Sequence, residues 1–139
     1  MRLLDASGDE RSEVVALWRT VGLTRPWNDP EADFDLALAG PTSTVLLVRD
    51  GDVLAGTVMI GFDGHRGWIY YLGVDPSRQR RGIARSLMKA SEQWLKARGC
   101  PKIQLMVRGD NATARGFYAA LDYETQDVVT IGKRLDGEG

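Results

Sequence analysis

The chain has 139 residues, of which 43% are hydrophobic and 27% charged, enough for one core without disulfide or metal staples. Its formal net charge of -1 argues against a domain built mainly to hold nucleic acid, and no apolar run approaches the roughly 20 residues of a membrane helix. Cys100 is the only cysteine and Met1 to Glu10 lacks the pattern of a secretory signal, so a reducing, cytoplasmic setting is expected.

Met1 to Asp5 suits a first strand. Asp9 or Ser12 is placed to cap a helix carrying Val14, Val15, Leu17, Trp18 and Val21, which Gly22 ends. A loop with two prolines, Leu23 to Pro30, leads to a second short helix through Phe34, Leu36, Leu38 and Ala39, stopped by Gly40-Pro41. Thr44 to Arg49 and Val53 to Phe62 alternate as strands around the tight turn Asp50-Gly51, and Asp63 to Gly67 turns the chain into a third strand, Trp68 to Val74.

Gln79-Arg80-Arg81-Gly82-Ile83-Ala84 then opens an amphipathic helix, with Leu87, Met88, Ser91, Trp94 and Leu95 on one face and Arg85, Lys89, Glu92 and Lys96 on the other. Ile103 to Val107 reads as a strand. Asp110 or Asn111 caps a last helix whose apolar face is Ala114, Phe117, Tyr118 and Leu121. Two final strands are expected near Tyr123 to Gln126 and Val128 to Arg134, before a Gly-rich acidic tail frayed from about 136. The order is βααβββαβαββ in a single domain, 1–139: an α+β fold with a mixed, mostly antiparallel sheet and helices on both faces.

The six residues Gln79 to Ala84 have the makings of an anion cradle. A helix that begins at a glycine presents unpaired N–H groups and the positive end of its dipole, and Gly82 lets a bulky phosphate approach. Gln79, Arg80 and Arg81 add donors, which suits a diphosphate. Neither G-x-x-x-x-G-K-[ST] nor G-x-G-x-x-G is present, so the commoner nucleotide loops are disfavoured.

The pattern [QR]-x-x-G-x-[GA] after a strand resembles the acetyl-CoA signature of the Gcn5-related N-acetyltransferase (GNAT) family. Asn111-x-x-Ala114-x-x-Phe117-Tyr118-x-x-Leu121-Asp122-Tyr123 is similar to the second half of that signature, with Asp122 where the family usually has glycine. Arg25-Pro26-Trp27-Asn28-Asp29-Pro30, Gly56 to Met59, Asp63 to Gly67, Tyr70 to Val74 and Gly99 to Ile103 resemble the small bacterial YpeA-type acetyltransferases.

The resemblance implies an enzyme that moves the acetyl group of acetyl-CoA to a primary amine by direct attack, without a metal. It places the pyrophosphate on Gln79, Arg80, Arg81, Gly82, Ile83 and Ala84, and the pantetheine arm along the edge of Leu72-Gly73-Val74. Gly73 would ease a bulge there, and an N–H near Val74 would face the thioester carbonyl. Tyr118 would donate to the departing sulfur, and Asn111 and Phe117 would border the coenzyme.

No base is evident. Many relatives carry a glutamate on the third strand, where this chain offers Trp68, Tyr70 and Tyr71; alternation with Trp68 and Leu72 turns Tyr70 toward the cleft. His65, the only histidine, has an intrinsic pKa suited to a base but lies in a tight turn, where a solvated residue is the better reading. Trp27, Asn28 and Asp29 would border the acceptor, or stand simply in a proline-stiffened loop. One histidine and one cysteine do not make a zinc site. A non-catalytic acyl-CoA-binding module would keep the phosphate turn without needing Tyr118, and either a monomer or a homodimer fits.

Overall fold

The computed structural model describes residues 1–137. It divides into two compact units, Met1–Met106 and the remainder from Val107. The first unit is a five-stranded sheet in sequence order, β1 (Arg2–Asp5), β2 (Ser43–Asp50), β3 (Val53–Phe62), β4 (Gly67–Val74) and β5 (Ile103–Leu105). The first four strands run antiparallel and β5 joins β4 in parallel.

Helices α1 (Arg11–Thr20) and α2 (Pro30–Ala39) cover one face, where Val14, Val15, Trp18 and Phe34 meet Val45, Leu47 and Leu54. The opposite face takes α3 (Ile83–Ala97), whose Ile83, Leu87, Met88, Ser91 and Leu95 are buried as the helical spacing requires. Gly56 and Gly67 let this helix lie close. A Cβ at Gly56 would sit 2.8 Å from Ile83 Cγ2, and one at Gly67 would sit 2.5 Å from Leu95 Cδ1.

Local chemistry sets the boundaries. Glu10 accepts a 2.9 Å hydrogen bond from the Ser7 backbone N–H, so the entry to α1 is a capping box through a short 3-10 turn at Gly8–Glu10. Neither Asp9 nor Ser12 is the cap: Ser7 caps the 3-10 turn, and α1 follows it with Glu10 at its own N-cap position. Gly22, at φ +75°, lets the chain leave the helix.

The second unit holds α4 (Ala112–Ala120), capped by Asn111, whose side chain accepts from the Ala114 N–H at 3.0 Å. The strands expected near Tyr123 to Gln126 and Val128 to Arg134 are not formed. Val128, Val129, Ile131 and Leu135 are exposed instead. Apolar spacing marks residues suited to a pleated surface, but a strand exists only where another strand takes its hydrogen bonds. Of the expected frayed tail, 138 and 139 lie outside the described residues.

Candidate active site

The turn after β4 has the geometry that an anion cradle needs. Asp75 closes a 3-10 turn at Pro76–Arg78 by accepting from the Ser77 N–H at 3.1 Å. Arg78 clamps it from outside, bonding Asp75 at 2.8 Å and Asp50, at the end of β2, at 3.0 Å. The chain then runs extended at Gln79, turns left-handed at Arg80 (φ +67°) and again at Gly82 (φ +78°), and enters α3 at Ile83.

No atom lies within 4 Å of a Cβ built on Gly82, so the glycine answers the left-handed backbone and leaves open space beside it. The first turn of α3 carries no acidic residue, whereas Arg80, Arg81 and Arg85 are exposed around it. Cations at the positive end of a helix dipole are unfavourable unless an anion joins them. Arg81 reaches Asp50 only at 3.5 Å and stays half exposed. Ile83 turns its side chain into the core, so what it can offer an anion at this turn is its backbone N–H; Ala84 is half-buried.

Beside this turn the sheet opens. β5 pairs with Gly67, Trp68 and Ile69, and among the described residues no strand pairs with Tyr70 to Val74 on that side. The bulge in β4 lies two residues before the position expected for it. Thr57 opposes Gly73 and Met59 opposes Tyr70, so Tyr71 and Leu72 together face Val58. Tyr71 takes the left-handed conformation at φ +53°, while Gly73 keeps an ordinary backbone and is needed for space: a Cβ there would meet Leu23 at 3.0 Å and Val21 at 3.1 Å.

Side chains hold the bulge in place. The Tyr71 ring stacks on Trp18 at 3.8 Å and 8°. Thr57 Oγ1 accepts from Trp18 Nε1 at 2.9 Å and donates to the Tyr71 carbonyl at 3.3 Å, and the Tyr71 hydroxyl donates to Asp33 Oδ2 at 2.7 Å. Sequence alternation gives no sign of this arrangement, because an inserted residue reverses the facing of everything beyond it.

A cavity of about 540 Å³ lies on the α2 side of the opened sheet. Asn28 borders it from the loop, Asp33, Leu36 and Ala37 from α2, and Met59 and Ile60 from β3. Both Tyr70 and Tyr71 line it, although alternation selects only Tyr70. Burial raises the Tyr70 phenol above its ordinary range, with a smaller push from Asp63. Tyr71 is raised further, by burial and then by Asp33. Both therefore stay protonated near neutrality and neither is a ready base.

Of the loop residues expected at the acceptor, Asn28 lines the cavity and Trp27 is exposed. Asp29 is occupied as the cap of α2, accepting from the Ala32 N–H at 3.1 Å; the carboxylate lining the cavity is Asp33. An acidic residue one helical turn after a capping aspartate is the one signal in the sequence that points to it. His65 sits in its turn, where its backbone N–H bonds Asp63 at 2.8 Å.

In the second unit, Tyr118 packs edge-on against Phe117 at 5.0 Å and Tyr123 at 5.8 Å, and burial pushes its phenol up to about 12. Asp122 takes the left-handed position that ends α4, at φ +69°. Among the described residues no group of three or more His, Cys, Asp or Glu side chains is placed to hold a metal, and no helix is long and apolar enough to cross a membrane.

Against this geometry the comparisons with known proteins agree. The profile of the acetyltransferase (GNAT) family matches residues 13–123, across the boundary between the two units. An acetyltransferase of Yersinia pestis (strain Pestoides F) is 48% identical over 127 residues, covering 91% of this chain and 90% of the relative. An acetyltransferase of Pectobacterium atrosepticum is 49% identical over 127 residues, with the same coverage of 91% and 90%.

Among solved structures, the aminoglycoside N-acetyltransferase AAC(6')-Iy in complex with CoA superposes with a TM-score of 0.82 at 17% identity, over 96% of this chain and 93% of that one. At this identity the likeness speaks for the fold. The tetramutant of a Bacillus halodurans protein gives a TM-score of 0.79 at 25% identity, over 97% of this chain and 100% of that one. By the family profile and by relatives at nearly half identity, the chain belongs to the GNAT family and is an acetyltransferase.

Proposed function

We propose that this acetyltransferase takes its acetyl group from acetyl-CoA and transfers it to the nitrogen of a primary amine, by direct attack on the thioester. The observation that carries the reading is the left-handed Gly82 at the start of α3, ringed by Arg80, Arg81 and Arg85 with no acidic residue in that first turn. Backbone N–H groups and guanidinium groups converging there match a diphosphate in charge and shape.

From that anchor the pantetheine arm runs along Leu72 to Val74, where β4 has no strand partner, and its amides complete the edge. The thioester then lies by the bulge, where an N–H of the strand bonds the oxygen that becomes negative as nitrogen attacks. The C–N bond forms, the C–S bond breaks, and coenzyme A leaves as a thiolate while the nitrogen loses a proton. Asn111 and Phe117 keep the coenzyme-bordering roles that the family motif assigns them.

Tyr118 keeps its family role in a modified form. A phenol near 12 is a weak donor of a whole proton to an alkyl thiolate, because the thiol that would result is the stronger acid. Its contribution is a hydrogen bond to the charge developing on sulfur, and the thiolate takes its proton from water afterwards.

Two measurements test the reading. Calorimetry with acetyl-CoA should show binding to the native chain, and thiol release should appear with amines of one class. Tyr118→Phe should lower kcat by about ten- to a hundredfold with the acetyl-CoA Kd unchanged, as expected for loss of one donor to the departing charge. Binding without release for any amine would instead favour an acyl-CoA-binding module, and absence of binding would defeat both.

A further inference from the structure

Three acidic residues on α2 besides its cap stand in different company. Glu31 pairs with Arg19 at 3.0 Å and Asp35 with Arg11 at 2.8 Å. Asp33, between them in sequence, lines the cavity and has no Lys or Arg within ion-pair distance among the described residues. One oxygen, Oδ2, accepts from the Tyr71 hydroxyl at 2.7 Å, and among the described residues Oδ1 has no hydrogen-bond partner.

Tyr71 is itself fixed by its stack on Trp18 and by the bulge, so the carboxylate is held in one orientation by a group that cannot neutralise it. A part-buried carboxylate without a cation is an unfavourable arrangement in an empty protein and a favourable one once a cation arrives.

The remaining wall is mainly apolar. Leu36 is 72% exposed at the cavity, and Met59 and Ile60 lie behind it. Among the described residues Asp33 is the only carboxylate on the lining itself, so the wall offers one ammonium a direct charged partner. Further ammonium groups would lose water against Leu36 and Met59 without compensation.

Resting on the proposed function above, we infer that Asp33 is the acceptor-recognition residue and that the acceptor is a small monoamine: one alkylammonium on an apolar body. Aminoglycosides and polyamines fit this wall poorly. An ammonium has no lone pair, so the bound nitrogen gives one proton to water at the open mouth before it attacks and sheds a second to water as the C–N bond forms; Asp33 recognises the cation and is not the proton acceptor.

The test uses 2-phenylethylamine as the cationic probe, aniline as its neutral counterpart and spermine as a polycation. Equilibrium binding, read by NMR line shifts in the absence of acetyl-CoA, should show 2-phenylethylammonium bound by the wild type and at least tenfold weaker on Asp33→Asn. Tyr71→Phe, which frees the carboxylate to move, should weaken it about threefold. In turnover, Asp33→Asn should lower kcat/KM for 2-phenylethylamine at least thirtyfold, mostly through KM, and for aniline less than threefold, with acetyl-CoA affinity unchanged.

Equal binding of 2-phenylethylammonium by wild type and Asp33→Asn, equal losses for the two aromatic amines, or preference for spermine would overturn the inference. The amine titration contains no coenzyme. It therefore separates a failure of Asp33 from a failure of the acetyl-CoA reading, which would show as absent coenzyme binding with the amine still bound.

Discussion

Replacing Thr57 by Val keeps the shape of a fully buried side chain and removes its only polar atom. Two hydrogen bonds go with it, the 2.9 Å bond from Trp18 Nε1 and the 3.3 Å bond to the Tyr71 carbonyl. Trp18 is itself fully buried, so its indole N–H would be left without water or protein to bond, at a cost of about 1–3 kcal/mol. The longer second bond adds about 0.5–1 kcal/mol, and the extra buried methyl returns about 0.8 kcal/mol. The net loss is about 1–3 kcal/mol, equivalent to a fall in Tm of roughly 3–12 °C for a chain of this size.

Thr57→Ser is the control, since it keeps both hydrogen bonds and loses one buried methyl, for about 1 kcal/mol. Urea melts followed by circular dichroism, with fluorescence of the tryptophans as a second probe, should rank wild type above Thr57→Ser above Thr57→Val. The valine variant should also lose turnover beyond its loss of stability, because the Tyr71 carbonyl it abandons belongs to the bulge between the Leu72 to Val74 edge and the cavity. A valine variant as stable as the serine one would refute the reasoning: the indole would then have found another partner.

Gly82→Ala should cost about 1–2 kcal/mol from its left-handed backbone alone, since no neighbouring atom obstructs the new Cβ. Acetyl-CoA affinity should fall at least tenfold by calorimetry as the start of α3 shifts; unchanged affinity would remove the turn from the coenzyme site. Arg49→Met addresses the ion pairs beneath β1 and α1, where Arg49 bonds Glu10 at 2.7 Å and Glu13 at 2.8 Å. Burial raises Glu10, but the Ser7 N–H and Arg49 outweigh it, and the Arg49 hydrogen bond leads in lowering Glu13, so both folded pKa values lie below 4.5. This stabilisation is complete above about pH 5 and disappears as pH falls through the folded values. The variant should lose about 1–2 kcal/mol at pH 7, discounted for the exposure of Glu13, and should narrow its gap to wild type below pH 4 in acid melts.

Much of the fold follows from local chemistry in the sequence. The 3.6-residue spacing of Leu87, Met88, Ser91 and Leu95 marks the buried face of α3, and Gly82 marks its start because the entry needs a left-handed residue. Asp50-Gly51 and the alternation on either side determine the hairpin of β2 and β3. The two GNAT motifs, Gln79 to Ala84 and Asn111 to Tyr123, are enough to name the family.

Register and company were decided only in three dimensions. Alternation assumes an uninterrupted ladder, so it missed the inserted residue at Tyr71 that brings this side chain into the cavity beside Tyr70. The spacing of Val128 to Arg134 suits a strand, yet without a neighbouring ladder no strand forms. Asp29 and Asp33 look alike in the sequence, but one is consumed by the amides of its own helix while the other meets Tyr71, 38 residues away. Propensity and periodicity are properties of neighbours along the chain; which carboxylate remains unpaired depends on every element packed around it, and packing is a property of the whole fold.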